Sequence, residues 1–270
     1  MVLLRQWRAC LRRDVQLAGA SPLVLAWQVG TVVLAAPTLF YLGRLIRPAA
    51  SPHLQPFGGD YFAFVILGVG LFGFLAAAMV GAAAAVRQEQ VIGTLEILLA
   101  APISAPVLVL GLSLWHLVTA GGQALLYLIL GAAVFGLGLA GANIVAVVLS
   151  VGLAVVIYGA LGVASAAFVL LFRHPDPITN ALVGISALLS GVFYPTSVLP
   201  PLLARLAQVI PLTHALRALR LAVLQGYGPA ALRQELLILA GFAALLVPLA
   251  GVVLRLALRH ARAAGTLAAY

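Results

Sequence analysis

The sequence predicts an all-α integral membrane protein, and three observations carry that expectation. Of 270 residues, 64% are hydrophobic and 8% charged, with a mean hydropathy of +1.18. A water-soluble domain carries about a quarter charged residues, so this chain cannot cover its own surface with polar groups. Apolar runs of about twenty residues recur along it, and at ~1.5 Å per helical residue they match the ~30 Å hydrocarbon core of a bilayer. These runs do not alternate polar and apolar at every second residue, which excludes the strands of a membrane barrel.

Taken in order, the elements number six spans and three accessory pieces. Residues 1–22 open with an interfacial helix. Across 3–17, Leu4, Trp7, Leu11 and Val15 share one face while Arg5, Arg8 and Arg12 share another. Because arginines precede an apolar run as long as a full span, this end is expected to stay attached rather than be cleaved as a leader. The spans are expected at 23–43, 61–86, 107–135, 144–171, 178–193 and 236–256. A proline- and glycine-punctuated loop, 44–60, joins the first two. Ala77, Gly81 and Ala85, four apart, suit close helix packing within the chain. Gly136, Gly138 and Gly141 mark a tight turn between the third and fourth spans. The run 178–193 is short for an upright crossing.

Between the second and third spans lies an island of polarity, residues 87–106. It holds Arg87 and Glu89, then Gly93, Thr94, Leu95, Glu96, Leu98, Leu99 and Pro102. Thr94 is placed to cap a short helix that Pro102 ends, with Leu95, Leu98 and Leu99 on one face and Glu96 on another. Ser104 is placed to cap the next helix, with Pro106 in its first turn. A brief helix with an apolar ridge between two spans is a docking surface for another protein; its bland counterpart is a loop resting on headgroups. Between the last two spans, 194–228 holds two amphipathic pieces, Leu202–Ile210 and His214–Leu224, neither long enough to cross. They predict a helical hairpin dipping partway into the membrane, which is allowed only where its backbone is buried in protein or lines a wet cavity. Arginines there are expected to snorkel.

Composition also removes function classes. Basic residues number fifteen, and all are arginine. A phosphate-gripping loop of the Gly-x-x-x-x-Gly-Lys type needs a lysine, so any nucleotide that drives this protein is bound by a separate subunit. The net charge of +9 points to anionic lipid and topology rather than nucleic acid. The single cysteine excludes an internal disulfide, and the five histidines do not fall at metal-ligand spacing. No cofactor or metal is expected on this chain. Asp60, Glu89, Asp176 and Glu235 all fall at span ends, which argues against an ion-coupled carrier needing an ionisable relay at depth. That carrier remains the rival function. A six-span intramembrane protease built on Ser190 and His214 is a further one, but Ser190 lacks a Gly-x-Ser-Gly setting.

Two stretches together resemble the membrane subunit of ABC-2-type ATP-binding-cassette exporters, the group of drug-efflux and nodulation-factor permeases. The first is Glu89, then Gly93-Thr94-Leu95-Glu96, Leu98-Leu99 and Pro102-Ile103-Ser104. The second is Phe193-Tyr194-Pro195, Leu199-Pro200, Pro211-Leu212-Thr213-His214-Ala215, Arg217, Arg220 and Gly226. The resemblance covers nearly the whole chain. It implies a homodimeric path for an amphipathic drug, lipid or glycolipid, and two cytosolic ATPase subunits that carry ATP and Mg. It also implies a coupling helix at Glu89–Pro102, an outer re-entrant hairpin at Tyr194–Gly226, and spans one, two and five facing the path. The setting it implies is a bacterial inner membrane, while six spans put both termini on one side and the arginine-rich N-terminus places that side in the cytosol. Polar side chains within spans are candidates for the path: Gln28, Thr31, Ser186 and Ser190, then His116 and Gln123, each of which could instead make an ordinary interhelical hydrogen bond.

Overall fold

The computed structural model describes residues 22–46, 51–100, 104–172 and 177–263. The expected interfacial helix lies outside them, apart from Pro22, as do Pro102 and Asp176. Among the described residues, every regular element is helical. Helix α1 spans Pro22–Ile46, α2 Ser51–Leu54, α3 Tyr61–Ile92, α4 Leu95–Ala100 and α5 Ala105–Ala133. Then come α6 Ile144–Phe172, α7 Pro177–Leu189, α8 Pro201–Gln208, α9 Pro211–Leu224 and α10 Arg233–Ala263. Single 3-10 turns at Gln55–Phe57 and Thr196–Val198 complete the set.

Five of these helices, α1, α3, α5, α6 and α10, are long and apolar enough to cross a bilayer. The sixth expected span is shorter than the other five. Helix α7 has 13 residues and stops at Leu189, so it rises only about 20 Å, short of the ~30 Å core. The chain beyond it, Ser190 to Pro195, turns instead, with Gly191 at φ +79°.

Helix α3 is the hub. It is apolar on every side, as a helix buried on all faces must be, and it packs on α5 and α6 along its length. Asp60 caps its start by accepting a hydrogen bond from the Phe62 N–H at 2.9 Å. The helix continues to Ile92, past the expected end at Val86. It closes where Gly93 enters the left-handed region, φ +81°. The Gly93 and Thr94 N–H groups then reach back to the Gln90 and Glu89 carbonyls, the Schellman pattern. A 32-residue helix is about 48 Å long, so its last turns project beyond the hydrocarbon. Small residues let the neighbours close in. A side-chain carbon at Gly81 would meet His116 Cβ at 2.7 Å, and one at Gly162 would meet the Ala78 carbonyl at 2.6 Å.

The bundle has two distinct ends. At one, the 55–60 turn, the 136–143 turn and α8–α9 come together, with the Asn143 N–H donating to the Ala222 carbonyl. Leu212, Ala215, Leu216 and Leu219 of α9 join the main core with α3 and α6. The backbone of this hairpin is thus buried in protein, as physics requires of short helices beside a bilayer. Pro201 and Pro211 sit at the first turns of α8 and α9, where a missing N–H costs nothing. At the other end, Leu95 of α4 joins Val86, Val109, Leu170, Leu254 and Leu258 in a second cluster.

Candidate functional site

Two places gather the residues singled out by sequence. The first is the handle at the end of α3. Glu89 is buried there and accepts a hydrogen bond from the Thr94 hydroxyl. Thr94 does precede α4, and its carbonyl starts that helix, but its side chain turns back to α3 rather than capping forward. The link makes α3 and α4 one angled unit instead of a span and a loose loop. Ser104 occupies the N-cap position of α5 without a side-chain cap, and Pro106 lies in the first turn.

Two leucines of the expected docking ridge pack within the bundle. Leu95 is only 3% exposed, and Leu98 packs on Ala85, Leu108 and Leu112. Of the described side chains of this six-residue helix, Leu95 and Leu98 face its own bundle. Among the described side chains of this segment, Val91, Ile92 and Ile97 face outward, at 62%, 61% and 74% exposure. The side chains of Glu96 and Leu99 lie outside the description.

The second place is the cluster under α8 and α9. Tyr194 donates its hydroxyl to the Leu188 carbonyl, tying the turn back to α7. Pro195 and Pro200 precede the 3-10 turn and α8 as their N-caps. Thr213 donates to the Ala207 carbonyl at 2.6 Å, closing the α8–α9 corner. His214 faces the Glu235 carboxylate through Nδ1 at 2.5 Å and the Gln208 carbonyl through Nε2 at 2.9 Å. Arg217 reaches the other oxygen of Glu235 at 3.2 Å. Hydrogen bonding to Glu235 raises the His214 pKa above 6.5; burial works against this, the Gln208 carbonyl and the Glu235 charge assist, and Arg217 opposes.

Arg220 does not snorkel. It is 2% exposed and donates to three backbone carbonyls: Nε to Phe64 at 3.0 Å, Nη1 to Gly191 at 2.8 Å and Nη2 to Val192 at 3.0 Å. Its guanidinium carbon stands 3.4 Å from the centroid of the Phe64 ring. Two of those carbonyls lie just past the end of α7, at the negative pole of that helix, which offsets part of the buried charge. His214, Arg217, Arg220 and Glu235, with Ser190, His53 and Gln234, line a cavity of about 540 Å³.

The sequence pattern that defines ABC-2 type transporters matches residues 5–224. That is most of the chain. The chain belongs to the ABC-2 type transporter family. No curated protein matches it beyond that. As an ABC-2 membrane domain it is a multi-pass permease component, not itself catalytic, and such domains work with separate ATPase subunits.

Within this ABC-2 domain the path candidates are scattered. Thr31 is exposed on α1 and donates to the Gln28 carbonyl of its own helix at 2.7 Å. Ser186 hydrogen-bonds with the Tyr158 hydroxyl, the ordinary interhelical fate. Ser190 is 1% exposed, with no partner for its hydroxyl oxygen among the described residues. His116 and Gln123 lie on α5, His116 against Gly81. Sequence reading missed the exposed Val91–Ile92–Ile97 ridge, because helix periodicity does not say which apolar face a short helix spends internally. It also missed the Glu235–His214 pair, whose members lie 21 residues apart on different helices.

Proposed function

We propose that this chain is the membrane-spanning subunit of an ATP-driven exporter, in which two copies form a path for an amphipathic substrate such as a drug, lipid or glycolipid. Two cytosolic ATPase subunits, carrying ATP and Mg, dock on the 87–100 handle. The complex sits in a bacterial inner membrane with both termini cytosolic. The observation that supports this best is the handle itself: exposed apolar side chains on two joined helices at the end of the hub helix. Thr94 is latched to Glu89, Leu95 is sunk in the core, and Val91, Ile92 and Ile97 point outward. A push on those side chains moves α3, and α3 packs on α1, α5, α6, α7 and α9. Closure of the ATPase pair would reach the far end through this one rod, the linkage an exporter needs.

Support for a second copy comes from α7. Ile178, Leu182 and Ile185 expose an apolar stripe on a helix too short to match the bilayer. A stripe on such a helix is better covered by protein than by lipid. The experiment for the whole reading is co-purification. Ile92→Asp with Ile97→Asp abolishes recovery of the ATPase subunit while the permease still elutes as a folded, monodisperse species. Undiminished recovery sinks the docking role.

A further inference from the structure

We propose that the 540 Å³ cavity beneath α8 and α9 is an oxyanion site, one that takes a phosphate-type group presented either by a lipid headgroup or as free phosphate. The volume falls in the ~300–1,000 Å³ range of small-molecule sites. Its fixed charge is one-sided: Arg217 and Arg220 line it beside two imidazoles, His53 and His214, against the single carboxylate of Glu235. That carboxylate already binds His214 on one oxygen and Arg217 on the other. It therefore has little left with which to hold a cation or to repel an anion.

The donors are what an oxyanion requires. A guanidinium carries five N–H groups. Arg220 makes three hydrogen bonds among the described residues, all to neutral carbonyls, and no carboxylate pairs with it. Arg217 keeps most of its side chain open at the rim, 61% exposed. The Ser190 hydroxyl, buried against the same cavity, has no partner among the described residues. Charge-assisted bonds from arginine to phosphate are among the strongest a side chain makes, and a hydroxyl completes the set. Phe57, Pro195 and Ile238 supply apolar wall beside these donors, the mixture an amphiphile's headgroup region meets. The site does not depend on the handle binding an ATPase.

The test uses the full chain in phosphatidylcholine nanodiscs. One arm adds phosphatidylglycerol and counts retained lipid by native mass spectrometry; the other titrates inorganic phosphate and follows thermal unfolding. Arg217→Gln and Arg217→Gln with Ser190→Ala are the variants, since Arg220→Gln endangers folding. Retention of phosphatidylglycerol that falls about tenfold in Arg217→Gln, and further in the double variant, supports a headgroup as the source. A phosphate-dependent rise in melting temperature that needs about tenfold more phosphate in Arg217→Gln supports free phosphate. Wild-type binding that neither variant weakens, or the absence of binding in both arms, overturns the proposal.

Discussion

A side-chain carbon placed on Gly68 would lie less than 3.0 Å from both the Arg220 Nη2 and the Val192 carbonyl oxygen. The hub helix is therefore notched at one residue so that a guanidinium can reach three carbonyls in two segments: Phe64 in the first turn of α3, and Gly191 and Val192 in the turn after α7. Without the notch, an arginine on α9 has no route to those carbonyls.

Gly68→Ala is accordingly expected to destabilise the protein by about 3 kcal/mol, through a displaced buried charge and carbonyls left unpaired. Gly73→Ala on the same helix is the control, because nothing lies within 4 Å of the added carbon and the position is exposed. It should be neutral or stabilise by up to about 1 kcal/mol, the helix propensity difference. Denaturant titration of both variants in detergent checks the contrast. Equal effects would mean that the notch does not matter.

The His214–Glu235 pair sets a pH dependence at the hairpin end. The folded state holds the imidazolium against a carboxylate, so the folded pKa stands above the ordinary 6.5. The stabilisation is then fully present below the unfolded value and is lost as pH rises through the folded one. Amide exchange over 201–224 should accelerate across that window more than exchange in α3. Glu235→Gln removes the main cause of the shift and should flatten the profile. A profile unchanged in Glu235→Gln would assign the pH dependence elsewhere.

Much of this was legible from sequence, and what was not has a physical cause. Runs such as Ile144–Phe172 announce themselves, because length and hydropathy alone decide a span. The start of α9 was placed at His214, three residues late, because Pro211 reads as a break although a missing N–H is tolerated in a first turn. The end of α3 was misplaced because Arg87 and Glu89 suggest a loop. A helix projecting past the hydrocarbon keeps its backbone bonds whatever side chains it carries. Arg220 was misread as snorkelling because its partners are backbone carbonyls, which every residue has and no motif displays. The distinction between Leu95 and Ile97 is likewise tertiary: both are apolar and two residues apart, and the packing of neighbouring helices decides which is buried.

That distinction is testable. Leu95→Ala should cost about 3 kcal/mol, since it empties a buried site between α3, α5, α6 and α10. Ile97→Ala should leave stability within about 0.5 kcal/mol, as exposed substitutions do. ATPase recovery should respond in the opposite order, falling with Ile97→Ala at unchanged melting temperature. If Leu95→Ala left the fold intact and alone abolished recovery, the docking face would be the one buried here.

The short helix α7 offers the last test, because it lacks the length to be held by the bilayer and must be held by its neighbours. Thr179 donates its hydroxyl to the Ser165 oxygen at 2.6 Å, across to α6, and both side chains are buried. Each also has other contacts, so neither single variant isolates this bond. The cycle of Ser165→Ala, Thr179→Val and the pair does isolate it. A coupling of about 1 kcal/mol is expected, in the range measured for hydroxyl bonds between membrane helices. A coupling near zero, with large single effects, would mean that α7 is fixed to α6 by packing alone. In that case α7 would be free to slide along α6 without breaking a polar latch, and the motion relayed from the handle would meet no fixed stop on that face.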